Sequence, residues 1–419
     1  MSIASEINRI KTNISNAYTE AENKGATLPQ NQNSDNLADT ISSIQTGGGT
    51  PVSVEEKDVN FYDYDGTRLY SYTLTEVQNL TELPALPSHT GLTCQGWNWT
   101  LADIKAEGKE TDVGAMYITD DGKTRLHIKI DTEYRTTIEL CFRQSVANGV
   151  EVDWGDGSAI ETFSDSGNTN ILPSHTYANL GEYIITLNPL NNCQLSLGGG
   201  ANSYNVLGSS SDTMSRNSLQ KVHLGSNVIL LKYGFNQCYS LQIITLPNYV
   251  NLNNTYIFNN CQSINNIIVP TGTTEITSNV FYNNFNLCDV VLPGTLLKIQ
   301  DANFNGDRVL IKINLPNNII TLWESIFANC IYISKLVLPK KLGQLGRYAF
   351  SGCTNMKMYD FSNCLQIPTL SIADAFNNIP SDCKIVVPDS LYTSWIGATN
   401  WSTYASYIMK KSDWEASQV

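Results

Sequence analysis

INNIIVPTGTTEITSNVFYNNFNLCDVVLP, residues 264–293, holds one full structural period and the opening of the next. Ile264, Ile267, Val269 and Pro270 return 23 residues later as Leu287, Val290, Leu292 and Pro293. The same step of 23 joins Phe235, Phe258, Phe281, Phe304, Phe327 and Phe350, and joins Pro247, Pro270, Pro293, Pro316 and Pro339. A period of this length means stacked coils, a solenoid whose units bury a core only against their neighbours.

Within a coil the spacing specifies more. An apolar residue opens each unit (Leu219, Leu241, Ile264, Leu287, Leu310, Ile333, Met356), and two further apolar rows follow it. The rows are Val222, Ile244, Ile267, Val290, Ile313, Leu336 and then Leu224, Leu246, Val269, Leu292, Leu315, Leu338. They flank one outward position, the two-residue alternation of a short strand with one buried face. The proline after it in five coils has no N–H for a ladder and ends the strand. The phenylalanine row predicts a continuous ridge of rings inside the opposite turn. Two residues beyond it, Gln237, Asn260, Asn283, Gly306, Asn329 and Gly352 suit a left-handed turn. Cys238, Cys261, Cys330 and Cys353 also keep register. Packing repeats with the coil, whereas a zinc site needs ligands converging on one point, so buried thiols are expected and no metal or cofactor.

This pattern resembles the BspA-type leucine-rich repeat over roughly residues 215 to 408. The expected repeat domain is 196–382, closed by a cap at 383–419. CKIVVPDSLYTSW (383–395) and NWSTYASYI (400–408) resemble the endings of such arrays, with Trp395, Trp401, Tyr404 and Ile408 covering the last coil. The resemblance implies binding at a cell or host surface and identifies no ligand.

Residues 1–46 are expected to be a helical segment for oligomerisation and attachment. Ile3, Ile7, Ile10, Ile14, Ala17 and Ala21 form a heptad seam, and isoleucine at both seam positions favours three strands or four over two. The alternative is a lone amphipathic helix. Gly47, Gly48 and Gly49 open a hinge over 47–51. The opening MSIASEINRIKTNISNAY has no uninterrupted apolar run of the export type, and no stretch reaches bilayer-spanning length. The first 46 residues are similar to N-terminal segments of tail-fibre and baseplate proteins of phages infecting gut bacteria.

A small β module is expected over 52–130, with turns at Asp65-Gly66 and Asp121-Gly122 and an aromatic cluster at Trp97 and Trp99. The stretch from FYDYDGT to GLTCQGWNW is similar to linker modules beside repeat domains in phage tail proteins. Asp63, Asp65 and Asp121 are read as turn formers, because the distal bidentate Glu of a calcium loop is missing. Over 131–195, VDWGDGS and SHTYANLGEYIITL resemble a PKD-like β-sandwich with Trp154 in its core. Asp153, Asp156 and His175 are then parts of a structural turn and not an acid–base set.

The formal charge of −13 disfavours nucleic acid or an anionic membrane surface as partner. The 10 cysteines are scattered and mostly apolar in setting, the pattern of reduced core residues and not of a disulfide frame. No nucleotide-binding loop, zinc-protease helix or nucleophile elbow is present. The expected protein is therefore multidomain, mainly β and not an enzyme. The resemblances imply a trimeric, phage tail-associated receptor-binding protein of the virion. It would join other tail or baseplate proteins by its N-terminus and a host surface glycan or protein by its repeats. A polysaccharide depolymerase, which needs paired carboxylates, and a bacterial surface adhesin are the alternatives. Receptor contact is placed on the outward strand rows Ile243, Asn266, Asp289, Lys312, Lys335 and Thr245, Ile268, Val291, Asn314, Val337. A neighbouring domain or second protomer covering that strip is the competing expectation, and normal adsorption after charge substitutions at Ile268 and Val291 would move attention to Trp97 and Trp99.

Overall fold

The computed structural model describes residues 56–134, 136–199, 204–208, 213–248 and 252–418. The chain divides into two units, Met1–Glu56 and Lys57–Val419. The isoleucine seam, the 1–46 segment and the 47–51 hinge lie outside the described residues. Within Lys57–Val419 the architecture is mainly β, with a few short helices.

The strand alternation read from the repeats is present. Strands Ile243–Thr245, Asn266–Ile268, Asp289–Val291, Lys312–Ile313, Lys335–Val337, Met358–Asp360 and Lys384–Val387 line one face of the solenoid, its first sheet, in three separate hydrogen-bonded ladders. Within the ladders the pairing is parallel, at a step of 23 for Ile267 with Val290 and Val290 with Ile313, and of 26 for Tyr359 with Ile385. A second sheet, Glu275–Ile276, Lys298–Ile299, Thr321–Leu322, Gln344–Leu345 and Thr369–Leu370, forms another edge of each coil. The six phenylalanines stack between them with centroids 5.3–5.9 Å apart and interplanar angles of 4–12°. Phe376, 26 residues beyond Phe350, extends the column at 5.2 Å. A row of buried rings repeats identically because each coil presents the same groove to the next.

Gln237, Asn260, Asn283, Gly306, Asn329 and Gly352 all have positive φ, as the turn reading requires. Cys238, Cys261, Cys330 and Cys353 are fully buried. The last three donate to the carbonyls of Phe235, Phe304 and Phe327 at 2.9, 2.9 and 3.1 Å. At the C-terminal end Trp395, Trp401, Tyr404 and Ile408 are buried over the last coil. The Trp401 indole donates to the Pro368 carbonyl at 2.7 Å.

At the other end the boundaries differ from expectation. Thr124–Ile130, expected to finish the first module, instead pairs antiparallel with Gly181–Pro189 and with Leu219–His223. Leu219–His223 pairs in turn with Ile243–Thr245 of the first solenoid sheet. Leu195–Leu197 likewise pairs in parallel with Val228–Leu230 and antiparallel with Phe142–Gln144. One core therefore runs from Leu126 through Trp154 to Ile408 without a break. The 124–197 region seals the first coil as Trp395 and Trp401 seal the last, since an open solenoid end would leave apolar surface in water. No described helix is long and apolar enough to cross a membrane.

Residues 57–119 fold as a four-stranded sheet, in the order Arg68–Tyr72, Val59–Tyr62, Thr111–Thr119, Leu92–Trp97. Two short helices, Leu74–Asn79 and Leu101–Glu107, cover one face. Thr73 and Glu76 form a capping box for the first, and Thr100 caps the second. Asp65-Gly66 and Asp121-Gly122 are turns: Gly66 and Gly122 have φ of 89° and 73°. Asp65 accepts from the Thr67 N–H, and Asp121 from the Lys123 N–H and from Arg125.

Candidate functional site: the uncovered sheet of the repeats

Strand Thr111–Thr119 decides which face of the solenoid is available. Its side chains alternate, as in any strand. Val113, Ala115 and Tyr117 enter the module's own core with Phe61, Trp97 and Ile104. Asp112, Gly114 and Met116 point the other way, onto the first solenoid sheet. Met116 packs with Ile268 and Val291 in a separate apolar cluster. Asp112 accepts from Lys312 at 3.2 Å and from Asn314 at 2.6 Å. Burial pushes the Asp112 carboxyl up, and the Lys312 charge only partly offsets this.

The rest of the contact is polar and equally specific. Asn98 donates to the carbonyls of Val269 and Val291 at 3.1 and 3.4 Å. Trp99 donates to Leu292 at 2.7 Å, and Lys109 to Leu315 at 2.6 Å. Gln95 accepts from Asn248, Glu107 from Asn317, and Glu110 from Lys335. The module is thus fastened to coil after coil along the strip.

The expected receptor strip is corrected accordingly. Thr245, Asn266, Ile268 and Val291 are buried. Lys312, Asn314 and Lys335 are held by Asp112 and Glu110 of the module. Ile243 and Val337 are half-buried, and Asp289 and Lys335 are exposed. The aligned Ile268 and Val291 meet Met116 of this chain's own strand Thr111–Thr119. Trp97 and Trp99 are buried as well, at 8% and 4% exposure, so they offer no alternative surface. Asp156 and His175 do meet, at 2.7 Å, and the His175 ring stacks on Trp154 at 5.0 Å. Asp153 instead caps the Gly155 N–H, so the three do not form one set.

The second sheet carries no described module. Its strands alternate: Thr321 and the exposed Trp323 flank the buried Leu322, and in the next coil the exposed Gln344 and a buried Gly346 flank Leu345. Trp323 is 42% exposed. Its neighbour in the next coil is Gly346, where a Cβ would stand 2.4 Å from the Trp323 carbonyl carbon. Glycine there lets the coils approach and leaves the space beside the indole open. The result is a groove of about 260 Å³ lined by Asp301, Thr321, Trp323, Glu324, Gln344, Arg347 and Ser371. Asp301 accepts from the Glu324 N–H at 3.0 Å, and Arg347 lies 3.6 Å from Asp374. Leu297 and Ile320, both exposed, sit on successive coils just before this row. Among the described residues no His, Cys, Asp and Glu converge as a metal site.

The solenoid is built of BspA-type leucine-rich repeats. Residues 228–357 and 311–385 match the family described as BspA type leucine rich repeat region, in six copies. Similar solved structures include a leucine rich cell surface protein from Faecalibacterium prausnitzii A2-165, 18% identical with a TM-score of 0.32. That match covers 46% of this chain and 65% of the other, so the chain spans just under two thirds of that protein. A leucine-rich repeat protein from Bacteroides ovatus ATCC 8483 is 19% identical over 57% of this chain and 70% of that one, with a TM-score of 0.34. The T. pallidum leucine rich repeat protein is 22% identical over 39% and 82%, with a TM-score of 0.31. No curated protein matches the chain.

The Trp323 groove of these BspA-type repeats was not foreseen from the sequence, although a signal existed. Glu275-Ile276, Lys298-Ile299, Thr321-Leu322 and Gln344-Leu345 keep the 23-residue step and mark a second strand row. Trp323 is the one tryptophan between Trp154 and Trp395, in a row whose other members are small or polar.

Proposed function

We propose that this chain is a non-catalytic binding protein that recognises a cell-surface target with the second sheet of its repeats. One observation carries the reading: the first sheet is occupied by the chain's own 57–119 module, whereas the second leaves Trp323 exposed in a groove, with Leu297 and Ile320 exposed on successive coils. A contiguous half-apolar patch beside convergent polar groups is the usual mark of a binding surface. Asp301 is engaged with a backbone N–H and Arg347 with Asp374, which favours recognition over hydrolysis by free paired carboxylates.

We further propose the setting implied by the N-terminal resemblance. Residues 1–46 attach a trimer to a phage tail or baseplate, and the 57–119 module acts as a rigid spacer. The isoleucine seam from Ile3 to Ile14 supports the trimer, and the multi-point docking of the module supports rigidity. A bacterial surface adhesin would use the same sheet in the same way.

Adsorption of the purified full chain to intact gut-bacterial cells tests the binding face. Lys298→Glu combined with Thr369→Arg alters the sheet outside the groove lining and is expected to lower adsorption at least tenfold with an unchanged melting curve. Undiminished adsorption by a folded double variant overturns the assignment of this face. Immunogold labelling of phage particles with an antibody against the repeats tests the tail setting, and label absent from the tail of particles that carry the protein rejects it.

A further inference from the structure

Resting on the binding reading above, we propose that the Trp323 groove is a subsite for an uncharged glycan. A sugar ring has a C–H face and a rim of hydroxyls, each both donor and acceptor. The groove offers the complement of both. The exposed indole of Trp323 supplies an aromatic platform whose negative face attracts polarised C–H groups. Around it stand an amide that donates and accepts (Gln344), two hydroxyls (Thr321 and Ser371), acceptors (Asp301 and Glu324) and a planar donor fork (Arg347).

These groups come from four successive coils and are held by the ladder. Gly346 donates to the Leu322 carbonyl at 2.8 Å, and Trp323 to that of Ile299 at 3.3 Å. Asp301 is fixed by the Glu324 N–H. Such preorganisation spares the ordering entropy that a loop site would lose on binding. At about 260 Å³ the groove holds a short piece of ligand, and its lining runs from Asp301 to Ser371 across four successive coils. An extended chain running across the coils is the shape that fits.

Charge narrows the class. Asp301, Glu324 and Asp374 outnumber Arg347 here, and the whole chain carries −13. Uronic-acid or sialylated chains are therefore repelled, and neutral hexose or N-acetylhexosamine units are accepted.

The test uses the full chain and a panel of immobilised neutral oligosaccharides built from hexose and N-acetylhexosamine, with a polyuronate as the charged probe. Binding to at least one neutral probe is expected, reduced tenfold or more by Trp323→Ala and retained in part by Trp323→Phe, with melting unchanged. No binding to any neutral probe, preference for the polyuronate, or equal binding by a folded Trp323→Ala protein overturns the proposal. Treating target cells separates this outcome from the broader reading. Adsorption that depends on Lys298 and Thr369 yet survives periodate and is lost to protease identifies a protein target, which keeps the binding face and rejects the glycan.

Discussion

Gly114 lies directly against Ile268, so closely that a Cβ at Gly114 would stand 2.5 Å from Ile268 Cγ2. Strand 111–119 sits on the solenoid at a distance that only a hydrogen in place of a side chain permits. The contact is made by residues more than 150 positions apart, and it removes Ile268 and Val291 of the first repeat sheet from solvent.

Gly114→Ala is therefore expected to destabilise the protein by about 1–3 kcal/mol through overpacking against a stiff β-branched side chain. Ile268→Ala should cost about 2–5 kcal/mol alone. The double variant should cost less than the sum, since the smaller residue accepts the new methyl. Urea unfolding of the four proteins measures this, and strictly additive losses would mean that the two residues do not touch.

Thiol reactivity should divide the 10 cysteines by position. Cys94 is exposed, Cys288 is half-buried and the other eight are buried. Burial pushes the Cys238 and Cys353 thiols up to about 12, so almost no thiolate exists at neutral pH. Alkylation at pH 8 followed by peptide mass analysis should label Cys94 first and Cys288 more slowly. The remaining eight should react only in denaturant, and fast labelling of Cys261 or Cys330 would contradict the coil packing.

Asp307 occupies the row that elsewhere holds Cys238, Cys261, Cys330 and Cys353. It is fully buried; Oδ1 accepts from the Asn284 N–H at 2.7 Å, and Oδ2 has no partner among the described residues. Burial holds its carboxyl well above the usual range. The folded state then binds the extra proton, so this group's contribution is complete below the unfolded value of about 3.9. It is lost as pH rises toward the folded value. Asp307→Asn keeps the acceptor and removes the charge, and at pH 7 should stabilise by about 1–3 kcal/mol. The gain should shrink toward pH 4, as followed by denaturant midpoints at both pH values; a variant less stable at pH 7 would count against a buried charge here.

His127 and His223 give the opposite slope. Their rings meet edge to face at 5.2 Å, and His127 Nε2 and His223 Nδ1 are buried without partners among the described residues. Burial, with His127, Lys221 and Arg125 close by, lowers His223 to about 4; burial and the same two cations lower His127. Here the unfolded state binds the extra proton. Stability is complete above the unfolded value of about 6.5 and declines as pH falls toward 4. His223→Asn should flatten the loss between pH 6.5 and 4.5 in thermal melts, and an unaltered slope would assign the loss to other groups.

What the sequence by itself determined is the repeating part. The 23-residue step placed the first strand row, the phenylalanine column, the left-handed turn residues and the buried thiols, because each coil must satisfy the same packing against its neighbour; the cap tryptophans came from the resemblance to the endings of such arrays. The first module was legible as β with Asp-Gly turns. Its helix Leu74–Asn79 was missed, although Thr73 and Glu76 spell a capping box.

Only the tertiary structure decided which outward face is used. Alternation says that a side chain leaves the coil and not what it meets, and rows as different as Ile268 and Asp289 share one face. The partner of Ile268 is set by Gly114 and Met116, whose own alternation is equally silent about distance. The open groove at Trp323 likewise depends on Gly346 in the next coil and on the 57–119 module lying across the other sheet. Contacts between segments separated by 150 residues or more carry no period, so no spacing in the chain announces them.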